Sequence, residues 1–469
     1  MSYTLVAVTV LVALASLALS PRVSTLGSFY KGHAVSGDAP GIFSLTMSLV
    51  TTWIFARSIM NAAILGYFYG IAGALAYATY YLSFLTGAWV IASLRWRHGF
   101  HSIQDFLADR FGKVGPTFYS FVTGLRLLSE VFANLLVIGI IFGPAGSTAY
   151  AVSIVAVGLV VLAYAGLGGL HASIRTDVFQ TLVFLVVLAA LMVLAFDQGG
   201  MSFAAIAGSS PDPTGPGWVL LAVAFLQVWS YPIHDPVMMD RGLIADRKTT
   251  MASFYHAAWL SILCIMAFGV LGTYAGLEKE AGETLIPTLT RLFGETPVLL
   301  LNIALIISCM STLDSTLASA AKLSVVDLKI GSPTVTRGRI AMALFLLGGF
   351  VMMFVGSKDL FSAVAVSGTA SMFLAPVAFF SLWWGRRDIP AWSYVMAFAT
   401  AILGAAIYFL EAGNHMMLMQ DLTGLEHKYS KLLLISAAIM ILGCLYFAVG
   451  MLLTKRAGPG AKRIVRHAG

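Results

Sequence analysis

The chain has 469 residues, 59% of them hydrophobic and 10% charged, with a mean hydropathy of +0.88. No globular core of this length can hide so much apolar surface from water, so a water-soluble enzyme or a nucleic-acid-binding domain is excluded and the solvent is lipid. The formal charge of +7, from 28 Lys and Arg against 21 Asp and Glu, then bears on membrane topology rather than on an acidic partner.

Thirteen hydrophobic segments follow one another, at roughly 2–20, 42–70, 72–95, 116–144, 148–168, 171–196, 217–238, 250–278, 296–326, 338–356, 359–385, 390–411 and 431–454. Each is near the ~20 residues that a helix needs to cross ~30 Å of hydrocarbon, and all are too long for barrel strands. The first, SYTLVAVTVLVALASLALS, has no basic residue ahead of it and is read as a retained helix rather than a signal peptide. With an odd number of spans and the N-terminus outside, twenty-one Lys and Arg fall on one side, among them Arg241 and the tail residues Lys455, Arg456, Lys462, Arg463 and Arg466. Five fall on the other: Lys279, Arg291, Lys358, Lys428 and Lys431. This asymmetry places the C-terminus in the cytoplasm of a multi-pass protein of the plasma (inner) membrane. Cys264, Cys309 and Cys444 all lie in apolar segments and suggest neither a disulfide framework nor a metal site.

Within the second segment, SLVTTWIFARSIMNAAILGYFYG (48–70) is too long and too polar for a simple span. It carries Arg57, whose bare charge at mid-membrane costs at least ~2.5–3.5 kcal/mol and demands an anion or a water-filled cavity. Three readings compete: Arg57 binds a substrate carboxylate through its planar fork, pairs internally with Glu130, Asp235 or Asp240, or acts as a tethered cation in place of sodium. Arg126, four residues before Glu130, reads as half of a structural pair on a helix that lines the solute cavity.

Further along, GLGGLHASIRTDVFQ (166–180) turns tightly at Gly168 and Gly169, and Asp177 follows as either an interfacial residue or an ion ligand. GLGGL lacks the lysine and hydroxyl of a phosphate loop, so no ATP site is expected and energy must come from a gradient. In WSYPIHDPVMMD (229–240), Pro232 and Pro236 interrupt helical bonding around His234 and Asp235, with Trp229 and Tyr231 as cavity walls. Finally SCMSTLDST (308–316) places Ser308, Ser311, Thr312 and Ser315 on one helical stripe, with Asp314 at its edge toward the cytoplasmic exit. Such hydroxyls either bond back to the preceding turn or serve as hard oxygen ligands for an alkali cation.

The string YAGLGGLHASIRTDVFQ, together with MSTLDS (310–315), DFLADRF (105–111) and PVMMDRGLIAD (236–246), resembles the sodium:solute symporter family, in its proline permease branch. The resemblance implies an all-α integral membrane fold of the leucine-transporter type, with about thirteen helices and a core of two inverted five-helix repeats. These would be 42–196 and 217–356, with 1–41 as a preceding helix and loop and 357–469 as C-terminal helices and basic tail. It further implies one Na+ held by the carbonyls of Thr51, Ile54 and Ser308 and the hydroxyls of Ser311 and Thr312, with a second Na+ conceivable at Asp177. Arg57 departs from the family pattern at the expected helix break.

The expected function is a secondary active transporter, not an enzyme, that couples inward Na+ movement to uptake of a small organic solute. Its partners are that solute, Na+ and the bilayer. Arg57 favours a carboxylate or amino acid over a sugar or urea, and Trp53, Arg57, Ser58, Arg126, Glu130, Trp229, Tyr231, His234 and Asp235 are expected around it. The alternatives are H+ coupling through Asp177, Glu130 or His234, uncoupled transport, and a solute-binding sensor module, for which the roughly fifteen residues after the last segment leave no output domain.

Overall fold

In hydrocarbon every backbone amide and carbonyl must bond within the chain, and helices do this segment by segment. The computed structural model describes residues 3–34, 36–197, 201–355, 366–413 and 415–456, and these contain helices and no strand. The start of the expected 359–385 span, Lys358 and the tail's Lys462, Arg463 and Arg466 lie outside the described residues.

The principal helices are α1 (Tyr3–Leu19), α2 (Ile42–Trp53), α3 (Ala56–Thr79), α4 (Val114–Phe142), α5 (Thr148–Asp197) and α6 (Pro216–Gln227). They continue as α7 (Pro236–Gly242), α8 (Arg247–Leu277), α9 (Glu295–Lys322), α10 (Val335–Val355), α11 (Ala391–Ala412) and α12 (Lys428–Arg456). Among the described residues nine helical runs are long and apolar enough to cross a membrane, a coarser count than the thirteen segments of the sequence. Two of the nine, 56–97 and 148–197, hold 42 and 50 residues. At ~1.5 Å per residue these measure about 63 and 75 Å, more than twice the hydrocarbon thickness. Each turns inside at a left-handed glycine, Gly70 at φ 63° and Gly169 at φ 57°. A β-carbon on Gly169 would also lie 2.4 Å from the carbonyl oxygen of Phe29, so only glycine allows this turn against its neighbour.

Both expected helix breaks are present. α2 stops at Trp53, Ile54 adopts non-helical angles (φ −79°, ψ 69°), and α3 restarts at Ala56. Between α6 and α7 the segment 228–235 runs as turns, and the Asp235 side chain caps α7 by accepting from Met238 N at 2.9 Å. Pro236 at the first position of α7 needs no donor, which is where a helix tolerates proline.

α9 runs along α5 and is enclosed by protein: every residue from Ile303 to Ala321 is buried. The SCMSTLDST hydroxyls therefore meet other helices on every side instead of lipid. α8 packs along α3 through small residues. A β-carbon on Gly272 would stand 1.9 Å from Ala63 O, and one on Gly276 2.2 Å from Tyr67 O. Gly272→Ala should force the two helices apart at a cost of about 1–3 kcal/mol, read as a lowered melting temperature in detergent.

Candidate functional site

The site forms where the α2–α3 break meets the middle of α9. Ending α2 at Trp53 leaves carbonyls of its last turn without helical amide partners. Trp53 O accepts from Tyr81 Oη at 2.8 Å, and Ile54 O accepts the Ser308 hydroxyl. Thr51 is buried in that same last turn. On α9, Thr316 Oγ1 bonds back to Thr312 O at 2.7 Å in the ordinary way, whereas Thr312 Oγ1 is buried with no partner among the described residues. Back-bonding therefore accounts for Thr316 and leaves the Thr312 hydroxyl available. Of the expected ligands, Ser308 is brought to Ile54 O at the break; Ser311 and Thr312 follow within one turn of α9, and their hydroxyls are oxygens of the hard, neutral kind that an alkali cation takes.

Asp177 borders this set, fully buried. Its Oδ1 accepts from Ser311 Oγ at 2.7 Å, and its Oδ2 from Ser48 Oγ at 2.5 Å and Arg241 Nη2 at 2.9 Å. The basic-residue pattern had put Arg241 in a loop. Instead its side chain is fully buried, with Nε donating to Ser48 Oγ at 2.6 Å and Nη2 to Ser315 Oγ at 2.8 Å. The reason is α7: a helix of only seven residues, capped by Asp235, ends still inside the protein, so its last residues face α5 and α9. Asp314, expected at the edge of the stripe toward the exit, is also fully buried and accepts from Ser173 Oγ at 2.8 Å and Thr176 Oγ1 at 2.9 Å.

On the other side of the break lies a narrow cleft, with room for about one water molecule, lined by Trp53, Phe55, Arg57, Ser58, Tyr77, Tyr80, Tyr81 and Tyr231. The hydroxyls of Tyr77 and Tyr80 are spent on Ser58 Oγ (3.0 Å) and Gln227 Oε1 (2.9 Å), so these residues offer mainly their rings to the cavity. The Arg57 guanidinium stacks 5.0 Å from the Phe55 ring centre. It pairs with Glu130 Oε1, and the same oxygen meets Arg126 Nη2 at 3.0 Å. Arg126 Nη2 also pairs with Asp235 Oδ2 at 2.8 Å, and its Nη1 donates to Tyr231 Oη at 3.2 Å. Of the three readings of Arg57, the internal pair is present, with Glu130 as its partner; Asp235 pairs with Arg126, and Asp240 with Lys322 at 2.9 Å.

Of the nine residues expected around the solute, Trp53, Arg57, Ser58 and Tyr231 line the cleft, Arg126, Glu130 and Asp235 form the ion group beside it, and Trp229 and His234 do not line it. Trp229 turns away from the cleft to pack edge-on against Phe225, Phe379 and Trp383, because the turns after α6 present alternate residues to opposite sides. His234 is held by Tyr231 O at 2.7 Å from Nδ1 and by Ser367 Oγ at 3.3 Å from Nε2, which fixes it as a bonded ring of the broken segment. Beyond α7 a wide vestibule of about 900 Å³ opens among the segments 26–33, 95–108 and 322–333, with Asp240, Lys322 and Asp327 on its wall.

The sequence reading missed Ser48, Ser173, Thr176 and Arg241 as partners of the buried acids, and Tyr77, Tyr80 and Tyr81 as cleft walls. For Arg241 a signal existed: the DR pair follows Pro236 by only four residues, within reach of the membrane interior.

Comparison with known proteins bears out the resemblance over part of the chain. The sodium:solute symporter family model matches residues 34–211. A protein of Drosophila melanogaster named as a sodium-dependent multivitamin transporter is 24% identical over 202 residues; the match covers 42% of this chain and a third (33%) of that protein's length. Among solved structures, the substrate-bound outward-open state of a Na+-coupled sialic acid symporter shares the fold at a TM-score of 0.69 and 15% identity, over 95% of this chain and 97% of the other. A closed conformation of the nucleobase-cation-symport-1 family transporter Mhp1 gives 0.58 and 17%, over 94% and 97%. The chain is thus an all-helical, multi-pass membrane protein with the leucine-transporter type of fold.

Removing one member of the buried ion group strands its partners. Arg126→Ala should destabilise by about 3–5 kcal/mol in thermal melts, and adding Asp235→Ala should recover part of that loss.

Proposed function

We propose that this chain, which carries the sodium:solute symporter match over 34–211, is a Na+-coupled symporter taking up a small carboxylate or amino acid. The observation that carries this reading is the junction at residues 51–58. A neutral oxygen set fit for Na+ and the guanidinium of Arg57 stand on opposite sides of one two-residue helix break. The carbonyls of Thr51, Ile54 and Ser308 and the hydroxyls of Ser311 and Thr312 hold the ion. Asp177 braces the Ser311 hydroxyl, and since its carboxylate is already matched by Arg241, a second Na+ there is not part of the proposal.

Solute and ion help one another through charge. Arg57 and Arg126 are balanced by Glu130 and Asp235, so a solute carboxylate alone would leave the region negative and Na+ alone would leave it positive. Opposite unit charges ~8 Å apart attract by about 2 kcal/mol at an effective dielectric of ~20, enough for each ligand to raise the other's affinity roughly thirtyfold. The aromatic walls of the cleft take the apolar part of the solute, and Trp53, Ser58 and Tyr231 position it. The halves 42–196 and 217–356, each with its break, act as the inverted repeats of alternating access. The vestibule lies on the side rich in Lys and Arg, the cytoplasmic side of a plasma-membrane protein with its N-terminus outside.

Uptake of radiolabelled solute into proteoliposomes under an inward Na+ gradient at fixed pH tests coupling. Uptake undiminished without Na+ would move the coupling to protons. A thermal-shift screen of carboxylates, amino acids, sugars and urea, each with and without Na+, identifies the solute class. Ser311→Ala with Thr312→Ala should raise the Na+ concentration for half-maximal uptake at least tenfold while leaving the protein folded. An unchanged Na+ requirement would remove these hydroxyls from the ion site.

A further inference from the structure

The ion group around the cleft is balanced in number but not in distribution. Arg126 touches two carboxylates, Asp235 at 2.8 Å and Glu130 at 3.0 Å, whereas Arg57 has one carboxylate contact among the described residues and shares that oxygen, Glu130 Oε1, with Arg126. Asp235 is further anchored by the Met238 amide at 2.9 Å, so it cannot leave α7 without uncapping it. Glu130 is held less firmly: among the described residues its second oxygen, Oε2, is buried with no partner, and so is Nε of Arg57. Opening the pair Arg57–Glu130 strands neither acid, because Glu130 keeps Arg126 when Arg57 is taken away. Arg57 is also the member of the group that lines the cleft; Glu130 stands behind it.

We infer that Glu130 is a built-in stand-in for the substrate carboxylate: it neutralises Arg57 when the carrier is empty and yields the guanidinium to the incoming carboxylate, falling back on Arg126. This rests on the reading of the cleft as the solute site. Its consequence is specific to a carrier's cycle. After releasing its solute, a symporter must reorient empty, and an unmatched guanidinium in a closed low-dielectric cleft would oppose closure. With Glu130 on Arg57 the empty site closes as a neutral unit, so the residue serves the return step while competing with the solute in the binding step. Glu130 acts through Arg57 and is a positioning residue; it does not itself hold the carboxylate.

Glu130→Gln keeps the shape and removes the charge. In purified full-length protein at saturating Na+, a panel of acetate, pyruvate, benzoate and phenylalanine runs from a two-carbon acid to aromatic acids suited to the ring-lined walls of the cleft once it opens. The panel member that shifts the wild-type melting temperature should bind Glu130→Gln at least tenfold more tightly. In proteoliposomes the same variant should retain exchange of labelled for unlabelled probe, which needs no empty return, while net uptake falls tenfold or more. Glu130→Asp should restore net uptake in part. If Glu130→Gln binds the probe more weakly, or loses exchange and net uptake together, the stand-in role is overturned and Glu130 is structural. If wild type responds to no carboxylate of the panel while responding to a sugar or to urea, the solute reading itself fails, an outcome distinct from a wild type that responds and a variant that gains nothing.

Discussion

The architecture hangs on the need to match every charge that is buried in a lipid-solvated protein. The short helix 236–242 concentrates that need. At its start Asp235 caps the helix and pairs with Arg126, while at its end Asp240 pairs with Lys322 and Arg241 with Asp177. Each link reaches a different neighbour: α4, α9 and α5. Seven residues therefore fix the relative positions of three long helices, at a level where a misplaced charge would cost several kcal/mol.

The second organising element is the interruption at Ile54 and Phe55. A continuous helix would use all its carbonyls internally and present nothing to a cation. Breaking it frees the oxygens beside α9 and also turns α3, so that Arg57, three residues beyond Ile54, faces a ring-lined cleft. On the proposed reading, ion site and solute cleft are two faces of the same break, so that movement of α2 against α9 is felt by both. Interdependence of this kind is what coupling requires, since a ligand shifts a conformational equilibrium only through differential contacts in its two states.

Between the cleft and the wide vestibule stand the two ion links of α7's far end, Asp240–Lys322 and Arg241–Asp177. Asp240 and Lys322 line the vestibule, whereas Arg241 is fully enclosed. A path from the break toward the basic face passes this layer, and hydroxyls of Ser48, Ser173 and Ser315 fill the space between its charges.

Much of this was legible in the residues alone. Composition dictated a lipid solvent, Gly168 with Gly169 and the two prolines marked where helices turn or break, and the hydroxyl stripe on 308–316 marked a polar face that must be enclosed by protein. These are local properties, set by backbone sterics and by the cost of polar atoms in hydrocarbon, and they hold whatever the neighbouring helices do. The pairing of charges was a different matter. Sequence spacing offered Glu130 to Arg126 as an i,i+4 pair, and that contact exists, yet the same carboxylate oxygen is shared with Arg57 from another helix, 73 residues away. Arg241 resembled a loop residue until the length of α7 left it inside, and Trp229 resembled a cavity wall until the turn before Pro232 pointed it outward. Which charge meets which depends on how helices far apart in sequence are brought side by side, and only the tertiary structure decided that.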